Sequence, residues 1–390
     1  MSGTANPSLN GTLISGGIVT NTSGYGISPR SGLVIVTNMA RVVTSGFNTS
    51  LGTIRFDGGT TEITGNTFVT GDNTIANGTR SGSFIQSDGM VSMTNTEGLV
   101  IGNSIPAGQN AGSQYSYTIY GGTLNLEKLT IGKSAVLSPV DLLFLMSGGT
   151  LNLGSGGIVT NASSAALNVI RLSGGMLGAQ ADWSSSANMV LTNTPGTGTV
   201  TFRAAHTNGA ARTITLSGVL NGNGRLTKTG AGALLLDGMN TYTGATTVTS
   251  GTLGGIGKIA GTTTVASNAF VSGGSTTAVG TLTVTNLVMQ EGAGIAWNYG
   301  TATQDRVVVT SALTLATNAV VNVSAVDGAT FSQLPAVTVL ATYGSKGGAT
   351  TLDGWKVTGL PASFVARVRL DVPNKCVVLF TNRGTIISIM

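Results

Sequence analysis

Five related segments recur through the first half of the chain: FDGGTTEI (56–63), SDGMVSM (87–93), YGGTLNL (120–126), SGGTLNL (147–153) and SGGML (173–177). Aligned on the last glycine, their anchors are Gly59, Gly89, Gly122, Gly149 and Gly175, at intervals of 30, 33, 27 and 26 residues. Self-similarity at such a period is the signature of a stacked array. Each unit holds two or three short strand-like runs, separated by Gly, Asn, Ser and Thr turns. One unit cannot bury its apolar face alone. Stacked on its neighbours at about 4.8 Å, with alternate side chains pointing into a shared interior, it can. The expected fold is therefore all-β: a right-handed parallel β-helix, or β-solenoid, of about 26–33 residues per rung.

Two further repeats support this reading. The heptapeptide SGGIVTN occurs at 15–21 and again at 155–161, and EGLVIG (97–102) is echoed by EKLTIG (127–132). Glycine supplies 59 of the 390 residues, but the chain is 41 % hydrophobic and only 8 % charged. Disordered chains show the opposite balance, and the glycines lack the every-third-residue period of collagen. The remaining reading is many strands and many tight turns.

The stretch from Gly222 to Leu253, GNGRLTKTGAGALLLDGMNTYTGATTVTSGTL, carries a more specific pattern. Gly222, Gly224, Leu226, Lys228, Gly230, Gly232, Asn240, Tyr242, Gly244, Thr246 or Thr247, Val248, Gly251 and Leu253 fall where the autotransporter-associated β-strand repeat has its signature residues. The segment closely resembles that family, which is defined by a structural rung and carries no activity of its own. The resemblance implies a passenger-type β-solenoid located outside a bacterial cell or on its surface. It also implies that the block after the repeat closes the array. Three segments follow: N-terminal solenoid rungs over 1–220, repeat rungs over 221–290, and a β-rich end piece over 291–390.

The search for chemistry is short. Asp57 and Asp88 occupy nearly equivalent places before their anchors, as do Glu97 and Glu127 in their strands, and each ladder stops after two rungs. A β-helix lyase or glycosidase needs carboxylates on neighbouring rungs beside a cation. His206 is the sole histidine and lacks a nucleophile elbow around it. Cys376, the sole cysteine, sits in a strand-like run and has no partner for a disulfide. Calcium-nonapeptide and phosphate-loop patterns are missing. No catalytic residue, metal ligand or cofactor is expected. The excursion from Ile105 to Tyr120 offers Tyr115 and Tyr117 as candidates for stacking on a sugar ring, the plainer alternative being that they cover their neighbours in a strand.

The net charge is +5, from 19 basic and 14 acidic residues, but the basic residues are scattered. Nucleic-acid binding needs a clustered stripe, so no nucleic-acid partner is expected. No run approaches the roughly 18 apolar residues of a membrane span, the densest being Val140 to Met146. The first ten residues do not read as a secretory signal, so the expectation is a signal already removed. A complete autotransporter is expected to end in an outer-membrane barrel closing on a terminal aromatic, and no such barrel is expected in the stretch after the repeats.

These readings converge on a structural extracellular or cell-surface β-solenoid, either a filament subunit joining copies of itself head to tail or an adhesin binding surface or matrix polysaccharide. Leu9 and Leu13 at one end, and Ile386, Ile387 and Ile389 at the other, are the candidate self-association residues. The alternatives are a carbohydrate-active β-helix enzyme and a passenger fragment of an autotransporter.

Overall fold

The computed structural model describes residues 11–21, 32–37, 40–44, 52–63, 67–69, 82–102, 112–133, 139–161 and 167–383. They fold into strands joined by turns. The one helix among the described residues is a single 3-10 turn at Phe331–Gln333. The chain divides into two compact units, Met1–Thr201 and Phe202–Met390, and each is a parallel β-solenoid.

In the first unit one ladder runs through Thr12–Ser15, Leu33–Thr37, the start of Thr53–Ile63, the start of Gly82–Met93, Gln114–Ile119, Asp141–Met146 and Leu167–Leu172, every pairing parallel. Its side chains alternate in and out, as a half-buried strand requires. One inward column reads Val34, Ile54, Phe84, Tyr117, Phe144 and Ile170, all buried. Rings stack along this interior: Phe56 on Phe84 at 6.1 Å, Phe84 on Tyr117 at 5.5 Å, and Tyr117 on Phe144 at 6.3 Å between centroids. Such pairs contribute about 0.5–1.5 kcal/mol each beyond the area they bury.

A second ladder brings Val42, Thr61, Val91, Leu124, Leu151 and Leu177 into one buried column. A third aligns Leu99, Leu129 and Ile158. The anchor glycines form the corner between the first two ladders, and all five have φ between 66° and 82°. At Gly122 a Cβ would lie 2.3 Å from the carbonyl oxygen of Gly89 on the rung before. Backbone passes directly over backbone there, so the anchors are the points where rungs touch without side chains between them.

The second unit is built on two ladders. One joins Thr213–Leu216, Ala233–Leu236, Gly251–Gly254, Ala269–Ser272, Gly294–Tyr299, Val320–Ala325 and Lys356–Thr358 in parallel. Its inward column is Ile214, Leu234, Leu253, Val271, Ile295 and Val321, each at most 2 % exposed. The other joins Arg225–Thr229, Thr246–Val248, Lys258–Val265, Thr281–Met289, Arg306–Leu315 and Val337–Gly348. The direction then reverses: Cys376–Arg383 runs antiparallel between Val337–Gly348 and Phe364–Asp371.

Rung length is not uniform. Residues bonded across adjacent rungs lie 30, 33 and 27 positions apart at Thr53–Ser83, Ser92–Asn125 and Asn125–Asn152, within the range the anchors predict. Around the repeat-like segment the separation falls to 20 at Leu220–Asn240 and 21 at Lys228–Thr249. The turns there are tight and carry no excursion, so fewer residues complete the circuit.

Candidate functional site

The aligned carboxylates do not assemble an acid/base pair. Asp57 and Asp88 are partners in register, yet Asp57 accepts a bond from Arg55 Nε at 2.7 Å. Glu62 accepts from Arg41 on the adjacent strand at 3.2 Å. Glu97 meets both Lys128 and Lys133, and the Lys133 bond, followed by the Lys128 charge, holds its carboxyl below the ordinary value. Glu127 Oε1 accepts from Ser155 Oγ at 2.7 Å and from the Gly156 amide at 3.1 Å. The bonds of Glu62, Glu97 and Glu127 tie neighbouring rungs, whereas Arg55–Asp57 lies within one strand; each of the solvated ion pairs contributes about 0–1 kcal/mol. Among the described residues no group of three His, Cys, Asp or Glu side chains converges on a metal position.

Tyr115 and Tyr117 are the clearest correction. Both are fully buried, pointing inward from Gln114–Ile119, so neither can stack on a sugar at the surface. Tyr117 instead donates to Gln86 Oε1 at 3.1 Å, and Gln86 Nε2 donates to the Thr123 carbonyl at 2.9 Å. Burial pushes the Tyr117 phenol well above its usual range. Leu13 is 62 % exposed on the first strand, whereas Leu9, Ile386, Ile387 and Ile389 lie outside the described residues. His206 sits in a surface turn with Nδ1 taken up by its neighbours Thr207 and Asn208. Cys376 is buried in the antiparallel pair, where burial and then the charge of Asp371 raise its thiol.

The signature residues of the 222–253 segment are braces. Lys228 has no exposed surface, and its ammonium donates to the carbonyl oxygens of Thr229 at 3.0 Å, Gly230 at 2.7 Å and Ser250 at 2.8 Å. Burial lowers it to about 8. Asn240 donates to the Gly238 carbonyl and accepts from the Leu220 amide, both at 2.9 Å. The Tyr242 hydroxyl bonds Thr246 Oγ1 within the core. Gly251, at φ +67°, leaves room for Lys228: a Cβ there would lie 2.6 Å from Nζ.

One polar cluster had no signal in the sequence. Asp305 is 1 % exposed and receives four bonds: Gly280 N at 2.9 Å on Oδ1, and Ser272 Oγ, Asn298 N and Asn298 Nδ2 at 2.9–3.0 Å on Oδ2. Burial pushes its carboxyl up to about 6 while the four donors pull the other way. Trp297 Nε1 donates to its backbone carbonyl at 2.9 Å. The cluster pins the excursion between Ser272 and Gly280 against the sheet. The donors to Asp305 come from three separate turns and strands, so no linear spacing announces them.

A larger cleft, about 510 Å³, lies on the antiparallel face, where Val337, Val365 and Phe380 are exposed beside Arg367 and Arg369. No helix of the described residues is long and apolar enough to cross a membrane.

Compared with known families, residues 226–254 match the model described as passenger-associated-transport-repeat. The chain therefore carries an autotransporter-associated repeat, and Lys228, Asn240 and Tyr242 lie within the matched residues. No curated protein and no solved structure matches the chain.

Proposed function

We propose that this chain is a structural passenger segment of a bacterial secreted or cell-surface protein, acting as a stiff β-solenoid scaffold and not as an enzyme. The observation that carries this reading is the passenger-associated repeat itself, whose polar signature residues are buried braces facing backbone. Residues retained for a reaction would face solvent and one another; these hold rungs together. The tied carboxylates of the first unit support the same reading and weigh against a β-helix lyase or glycosidase.

A scaffold of stacked rungs grows by adding rungs. Among the described residues, Thr12–Ser15 and Ile18–Asn21 each pair with a strand on one side only, and Leu13 and Ile18 are 62 % and 69 % exposed. That edge accepts a further rung in the same parallel register, from a longer polypeptide or from a second copy. The assembling filament subunit is the form of the proposal in which a second copy supplies it.

Antibody labelling of intact cells that make the protein tests the location. Surface labelling, lost after protease treatment of whole cells, supports the reading. Labelling seen only after the cells are broken open would overturn it.

A further inference from the structure

On the outer face of the second unit, small side chains make a hollow. Ser272, Ala296 and Asn322 stand side by side on successive strands, and Asn298 and Ser324 form the neighbouring outward column. Their inward neighbours Val271, Ile295 and Val321 are buried, so the parity of these strands sends this set outward. The excursion after Ser272 rises over the face as a wall carrying Thr276, and Asp305 braces it from beneath. The resulting cleft holds about 130 Å³.

Its chemistry is selective. None of the lining residues is charged, and the Asp305 carboxylate behind them is saturated by its four donors. Asn298 is only 6 % exposed and commits both Nδ2 hydrogens, to the Ser275 carbonyl and to Asp305, while its Oδ1 takes no donor among the described residues. Asn322 Oδ1 accepts from Thr358, and its Nδ2 has no partner among the described residues. The hydroxyls of Thr252, Thr276 and Ser324 also lack protein partners among the described residues. Donors and acceptors thus converge over a floor of Ala233, Leu235 and Ala296.

The missing charge disfavours anions, cations and nucleotides, and the volume is far below the roughly 300–1,000 Å³ of a drug-sized site. A small neutral ring with several hydroxyls and one apolar face satisfies both walls and floor. We infer that this cleft binds one neutral sugar ring, the end unit of a glycan or a free monosaccharide. The site stands independently of the scaffold reading, since it needs only the second unit's outer face.

The test is saturation-transfer NMR and titration calorimetry on the purified full chain with glucose, galactose and N-acetylglucosamine, each free and as its short linear oligomers. At least one probe binds saturably. Asn322→Ala weakens that binding about tenfold, the equivalent of one hydrogen bond at 1.4 kcal/mol. Ala296→Leu fills the hollow and abolishes binding while circular dichroism and the melting midpoint stay unchanged. Tighter binding of an oligomer than of its free sugar identifies a glycan end as the source, and equal binding identifies the monosaccharide. Binding that persists in Ala296→Leu, or no saturable binding across the panel, overturns the assignment and leaves the scaffold reading untouched.

Discussion

The buried Lys228 ammonium donates to the Ser250 carbonyl oxygen, 2.8 Å away and 22 positions along the chain. This bond joins one rung of the repeat to the next, and its strength depends on keeping a charge where water is excluded. Burial depresses the group from 10.5 in the unfolded chain to about 8 in the fold. A depressed folded value means that stability is greatest above the unfolded value and is lost as pH falls through the folded one. Wild type therefore gains stability between pH 8 and 10.5, by up to about 3 kcal/mol at 1.4 kcal/mol per unit. Urea midpoints across that range check this, with Lys228→Met as the reference that lacks the gain. At pH 7 the same substitution strands three carbonyls and costs about 1–3 kcal/mol.

Asp305 titrates in the opposite sense. Its carboxyl is raised from 3.8 to about 6, so the contribution of its protonated form is complete below pH 3.8 and is gone once pH has passed 6. The melting midpoint of wild type falls relative to Asp305→Asn as pH rises from 4 to 6.5, and runs parallel to it above. A difference between the two that stays constant over pH 4–6.5 would contradict the burial of this group.

The interior stack sets a scale for core substitutions in the first unit. Removing the ring in Tyr117→Ala breaks contacts with Phe84 and Phe144 and leaves a cavity, costing about 3–5 kcal/mol. Tyr117→Phe keeps the ring and loses only the bond to Gln86, a cost of about 1 kcal/mol. Denaturant titration distinguishes the two, and neither variant alters sugar binding.

Gly122 and Gly17 separate two reasons for a glycine. Both have positive φ, +72° and +70°, but a Cβ meets Gly89 O at 2.3 Å in the first and nothing within 4 Å in the second. Gly17→Ala bears only the left-handed strain, about 1–2 kcal/mol. Gly122→Ala must also push neighbouring rungs apart, and it lowers the melting midpoint further or prevents folding.

Much of this architecture was legible because rungs repeat. The anchor interval of 33 residues from Gly89 to Gly122 also carries Phe84 onto Tyr117, and the following interval of 27 carries Tyr117 onto Phe144. The same arithmetic would have placed Tyr117 inside, since Phe84 and Phe144 belong to the core; its place in the excursion from Ile105 to Tyr120 is what offered it as a surface aromatic, and the plainer alternative, that it covers its neighbours in a strand, is what the stack shows. Local identity has limits too. Ile18 and Ile158 occupy the same place in identical heptapeptides, yet Ile18 is 69 % exposed opposite Arg41 and Ile158 is buried beside Leu129. The heptapeptide specifies a strand, while the ladder it joins and the rungs beside it decide its burial. Asp305 was illegible for another reason: Gly280, Ser272 and Asn298 reach it only once the excursion has folded back.

We propose that this chain serves by stacking rungs and that, in the filament form of the proposal, stacking continues at Thr12–Ser15 and Ile18–Asn21, which pair on one side only among the described residues. Negative-stain electron microscopy of the purified chain across a concentration series measures this directly, with Ile18→Lys as the variant that places a charge on that edge. The account predicts that wild type lengthens into filaments as concentration rises, while Ile18→Lys stays as single particles. Discrete single particles of wild type at every concentration, or filaments that form equally well in Ile18→Lys, would contradict it.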